Sequence, residues 1–71
     1  MYSQALISSN IRKIIQSKGV KQRYIAERAG FDEKTFSNMV NGRKTIRAEY
    51  IPLIADALDV SVNDLFASES A

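Results

Sequence analysis

The sequence predicts an all-α fold: five short helices packed as one compact domain. Three observations predict it. Apolar residues recur at helical spacing in five separate windows, and nowhere do they alternate as in a strand. Glycines and capping residues fall between those windows. Finally, 71 residues leave room for one domain and no more.

Residues 8–18 predict the first helix, with Ile7, Ile11, Ile14, Ile15 and Leu6 as its apolar stripe. Ser8, Ser9 and Asn10 are the expected caps near its start, and residues 1–6 are expected to fray, with a backward extension of the helix through residues 1–5 as the alternative. Gly19 ends it. The second helix covers 22–29, with Ile25, Ala26 and Ala29 facing inward and Arg23, Glu27 and the Tyr24 hydroxyl facing water. Ala26 is small where two helices must approach closely, and Gly30 supplies a tight turn. Phe31 plugs that turn.

Asp32 is the expected N-cap of a third helix at 33–41. On a helical wheel Glu33, Lys34, Ser37, Asn38 and Asn41 share an arc of about 140°. Phe36, Met39 and Val40 lie opposite, so this helix has one apolar and one hydrogen-bonding face. A basic loop, RKTIR, follows. The fourth helix is expected over 49–58, with Pro52 in its first turn and Ile51, Ile54, Ala55 and Leu58 inward. Ser61 and Asp64 resemble a capping box for a fifth helix at 62–67, with Val62 and Leu65 inward. Residues 68–71 form a small polar tail expected to fray.

Composition excludes several function classes. There is no cysteine and no histidine, which removes disulfides, zinc-finger spacing and the usual nucleophile–base pairs. No metal, cofactor or enzymatic activity is expected. The longest apolar run, 51–55, is too short to span a bilayer, and MYSQALISSN lacks the pattern of a secretory signal. A cytoplasmic location is the expectation. Net charge is only +2, but it is unevenly placed. Up to Ala48 ten Lys/Arg face three acids; from Glu49 onward there are five acids and no base. That asymmetry implies a basic face for a polyanion and an acidic face turned away.

From Ile11 to Phe66 the chain resembles the phage repressor/Cro (XRE-type) helix-turn-helix family. Gln22, Ala26 and Gly30 stand at relative positions 1, 5 and 9 of its motif. Ile25, Ala29, Phe31, Phe36 and Met39 fill its apolar positions, Asn41-Gly42 fits its end, and IADALDVSVNDLF fits its fourth and fifth helices. The resemblance implies a lambda-repressor-like fold and a sequence-specific regulator of transcription that binds double-stranded DNA. Such a protein would be bacterial or phage-encoded and associated with the nucleoid when bound.

The resemblance puts the third helix in the major groove, where base edges differ in their donors and acceptors. Its base-reading positions are Glu33, Lys34, Ser37 and Asn38. Asn38 suits adenine, Lys34 guanine or phosphate, and Glu33 the cytosine amino group or simply the helix dipole. Ser37 suits phosphate or a thymine methyl. Gln22 matches the family's phosphate-binding glutamine. Arg43, Lys44 and Arg47, with Asn41, would grip phosphates on the other side, and Arg23 is a weaker candidate. A homodimer on a palindromic operator is expected, with Tyr50, Val60 and Phe66 as candidate dimer contacts. The alternative is a protein-interaction module, such as an antitoxin or adaptor that keeps the fold.

Three positions depart from the family. Ile15 and Val40 replace an arginine–glutamate ion pair and are expected to touch. Lys21 replaces a hydroxyl cap, and Asp59 replaces a glycine.

Overall fold

The computed structural model describes residues 3–67. It contains five α-helices: α1 Gln4–Lys18, α2 Gln22–Ala29, α3 Glu33–Val40, α4 Ile51–Leu58 and α5 Val62–Leu65. A 3₁₀ turn, Ala48–Tyr50, leads into α4. Helix α2 packs against α3 and α4, while α1 crosses α3 and α5 and α4 packs on α5. One apolar core joins all five, with Ile11, Ala26, Phe36, Met39, Val40, Ile54 and Leu65 fully enclosed.

The α2–α3 joint follows from local chemistry. Helix α2 ends in a Schellman turn: Phe31 N–H donates to the Ala26 carbonyl (2.9 Å) and Gly30 N–H to Glu27 (3.2 Å). Gly30 sits at φ 91°, the left-handed region that a Cβ disfavours. A Cβ there would meet nothing within 4 Å, so glycine is needed for the backbone angle and not for space. Close helix approach is left to Ala26, which is wholly buried. Phe31 then lies against Phe36 (ring centroids 6.2 Å apart) and takes Tyr50 edge-on (4.9 Å). Asp59 ends α4 at φ 60°, as its tolerance of that region allows. Ser61 and Asp64 form the expected capping box, with bonds of 3.3 and 3.1 Å.

Five expectations are corrected. Residues 4–6 belong to α1, so the helix extends backward instead of fraying there; Ser3, not Ser8, Ser9 or Asn10, caps it by accepting from Leu6 N–H (3.1 Å). The remaining residues expected to fray, 1–2 and 68–71, lie outside the described residues. Ser8 and Asn10 are buried within the helix because distant carbonyls satisfy them. Ser8 donates to Met39 (2.9 Å), and Asn10 to Leu65 and Ala67 (2.9 Å each). Helix α4 begins at Ile51, since the 3₁₀ turn occupies 48–50. Helix α5 is a single turn ending at Leu65, with room for one inward side chain; Leu65 fills it and Val62 stays 38% exposed. Asp32 sits at the N-cap of α3 as expected, with its carboxyl facing Thr35 but outside hydrogen-bond geometry to the first-turn amides. Ile46, inside the basic loop, is an unforeseen core residue.

Ile15 and Val40 both belong to the core region. Val40 is fully enclosed, and Ile15 is half-buried against the same cluster.

Candidate nucleic-acid interface

The surface of α3 opposite the core carries Glu33 and Lys34 in its first turn and Ser37 and Asn38 one turn later. The first two are exposed and the second two half-buried. All four share one arc of the helix, so the difference lies along its axis: the exposed pair is in the first turn and the half-buried pair one turn later.

All four converge with two residues from other elements. Gln22, Glu33, Lys34, Ser37, Asn38 and Arg43 line one open concavity of about 390 Å³. Gln22 reaches it from the first turn of α2. Lys21, at the cap position, makes no side-chain bond to the α2 amides. The first-turn amides of α2 beside Gln22 are therefore not capped by the Lys21 side chain, and an uncapped helix start favours an anion. Arg43 enters from the loop that follows α3. Its N–H and that of Lys44 both donate to the Asn38 carbonyl, at 2.8 and 3.2 Å. The basic loop thus starts from the backbone of a predicted base-reading residue.

The other candidates are placed differently. Asn41 turns back along its helix and donates to the Ser37 carbonyl (2.9 Å) and hydroxyl (3.2 Å). Arg47 pairs with Glu49 at 3.2 Å, both side chains exposed. Lys44 and Arg23 are exposed and do not line the concavity. Tyr50, Val60 and Phe66 are half-buried against the core. Arg28, in the last turn of α2, lies over the Tyr24 ring at 5.7 Å and donates to its hydroxyl.

The first turn of α3 also carries an electrostatic feature. The Thr35 hydroxyl holds the Asp32 carboxyl below the usual carboxylate range; desolvation opposes it, and the Thr35 amide, the Asp32 amide and Lys34 add smaller contributions in the lowering direction. A depressed folded value gives stability that is present above the unfolded pKa of about 3.9 and lost as pH falls through the lower, folded one. In an NMR titration the Asp32 carboxyl should therefore titrate below an unstructured aspartate. Thr35→Val should move it back up, and an Asp32 midpoint that ignores Thr35→Val removes this account.

Sequence reasoning missed Gln4, Ser8 and Arg12. Gln4 and Ile46 exchange two bonds, Nε2 to the Ile46 carbonyl (3.1 Å) and Ile46 N–H to Oε1 (2.6 Å). Arg12 Nη1 donates to the Val40 carbonyl. Their shared i, i+4, i+8 spacing was visible, but their partners are backbone groups, which leave no mark in residue type.

Comparison with known proteins adds an independent line. Residues 10–69 match the family model described as the Cro/C1-type HTH DNA-binding domain. No curated protein sequence matches the chain. Among solved structures, the restriction-modification controller protein C.AhdI from Aeromonas hydrophila superposes with a TM-score of 0.82 at 24% identity, covering 89% of this chain and 96% of that one. The clp gene regulator ClgR from C. glutamicum gives 0.82 at 27% identity, over 87% of this chain and 80% of its own. A hypothetical transcription factor, NHTF, from Neisseria gives 0.84 at 27% identity, over 93% and 76%.

Proposed function

Because this chain belongs to the Cro/C1-type helix-turn-helix DNA-binding family and is a DNA-binding regulator of transcription, we infer that it reads its site through the outer face of α3. Asn38 reads adenine, Lys34 donates to guanine, Glu33 accepts from cytosine, and Ser37 contacts a thymine methyl or phosphate. Gln22 and Arg43 hold phosphates on either side of the concavity, with Lys44, Arg47, Asn41 and Arg23 extending that grip. The observation that supports this most is the convergence of Gln22, Glu33, Lys34, Ser37, Asn38 and Arg43 on one open surface. Phosphate donors on α2 and on the loop flank the groups suited to base edges, the order a duplex groove requires.

One helix reads too few base pairs for high specificity. Two copies on a palindrome, with half-sites one turn or about 34 Å apart, would double the contacts. The exposed edges of Tyr50, Val60 and Phe66 are the proposed contacts between copies. Among the described residues no helix is long and apolar enough to cross a membrane.

The test is selection of bound sequences from a random duplex pool, with wild type and Asn38→Ala compared. Wild type should enrich a palindrome. Asn38→Ala should lose preference at one adenine per half-site, a discrimination of about 1–3 kcal/mol. Identical enrichment by both proteins removes Asn38 as a base reader.

A further inference from the structure

Gln4, Ser8 and Arg12 lie on one face of α1, four residues apart. Each makes its long-range bonds to the segment that begins at the end of α3. Arg12 donates to the Val40 carbonyl, Ser8 donates to the Met39 carbonyl at 2.9 Å, and Gln4 pairs with both backbone groups of Ile46. Two consecutive carbonyls at the C-terminal end of α3 are thus gripped from α1. The far end of the basic loop is gripped by the same stripe. Between the two grips runs the segment carrying Arg43 and Lys44, whose amides return to Asn38.

We propose that Gln4, Ser8 and Arg12 form a positioning clamp that sets how α3 and its basic loop are presented to DNA. The apolar contact of α1 with α3 is non-directional and leaves the roll and slide of α3 weakly determined. Ile15 and Val40, both apolar, supply no directed bond at the positions where the family has an ion pair. Hydrogen bonds to named carbonyls are directional, and a recognition site needs its groups held to within about 0.5 Å. The Arg12 cation also complements the negative end of the α3 dipole. Because the stripe grips helix and loop together, it couples base-reading groups to phosphate-binding ones. The proposal rests on the reading of α3 as the base-reading helix.

The experiment measures affinity for a selected duplex and for a scrambled one, across a salt series, using protein verified as folded by circular dichroism. The variants are Gln4→Ala, Ser8→Ala and Arg12→Met, with Arg12→Lys as the conservative rescue. Ile51→Val is the control, trimming the core away from the clamp. Clamp variants should lower the selected-to-scrambled affinity ratio by about tenfold or more. Their salt slopes should stay unchanged, because no phosphate contact is removed. Arg12→Lys should recover part of the ratio. Ile51→Val should leave it unchanged, because a loss of folded protein lowers both affinities together. Should Ser8→Ala or Arg12→Met not fold, Gln4→Ala at its exposed site carries the test. An unchanged ratio in the folded clamp variants overturns the clamp, provided Asn38→Ala alters the selected bases. If Asn38→Ala leaves them unaltered, the reading of α3 fails, and the clamp fails with it. A shallower salt slope for Arg12→Met makes Arg12 a phosphate ligand and overturns its positioning role.

Discussion

Phe36→Ala should lower the melting temperature by at least about 12 °C and leave a large share of the protein unfolded at 37 °C. Phe36 is completely enclosed and holds the inner face of α3 on the core. Phe31 lies against its ring, and Tyr50 lies against Phe31. Truncation to alanine removes this ring from a site where three elements meet, and a buried Phe→Ala typically costs about 3–5 kcal/mol. At about 0.05–0.15 kcal/mol per residue, a chain of this size has total stability of only about 4–11 kcal/mol. One kcal/mol moves the melting temperature of a domain this small by about 4–8 °C. A thermal scan followed by circular dichroism measures the shift directly. Leu53→Ala is the comparison, because Leu53 is 49% exposed and its loss should stay within about 0.5 kcal/mol. A Phe36→Ala melt within a few degrees of wild type would remove Phe36 as the keystone of α3.

The central joint was legible because its signals are local. Gly30 needs only its own backbone angle, Ala26 only its own size, and the two faces of α3 only the helix period. The capping box at Ser61 and Asp64 and the left-handed Asp59 are local in the same sense. Readings failed where the deciding partner is distant. Ser8 carries a capping residue's chemistry, but an acceptor 31 positions away outcompetes that preference. Asn10 is drawn inside by carbonyls 55 and 57 positions away. Ile46 was hidden in a run of charges, since a five-residue loop has no period to reveal which side chain turns inward.

The candidate site divides the same way. The residues that share the concavity are those whose placement follows from the helix wheel and the turn. Asn41 was on the right arc, but Ser37 one turn earlier offers it two acceptors. Tyr50, Val60 and Phe66 carry an apolar signal that core and interface share, and much of each is already committed to the core.

The largest effect on binding should come from the triple variant Arg43→Ala, Lys44→Ala, Arg47→Ala. Arg43 borders the concavity, and Lys44 follows it on a loop tied to the Asn38 carbonyl. Among the described residues the Arg47 side chain is held by Glu49 alone, and with the two side chains 64% and 66% exposed this pair contributes at most about 1 kcal/mol. Phosphate can therefore replace Glu49 at little cost. Each phosphate contact contributes about 0.9 to the slope of log affinity against log salt, so losing three should make it shallower by about 2.7. Selected and scrambled duplexes should weaken together, because phosphate contacts position the protein without reading bases. Folding should be nearly unaffected, since all three side chains are exposed and Ile46, which is not, is kept. Arg28→Ala is the control for loss of a cation outside the loop, as Arg28 is occupied with Tyr24, and its slope should remain that of wild type. Equal slopes for the triple variant and wild type would take the loop out of the phosphate grip. The polyanion surface would then have to be sought along α2, at Gln22 and Arg23.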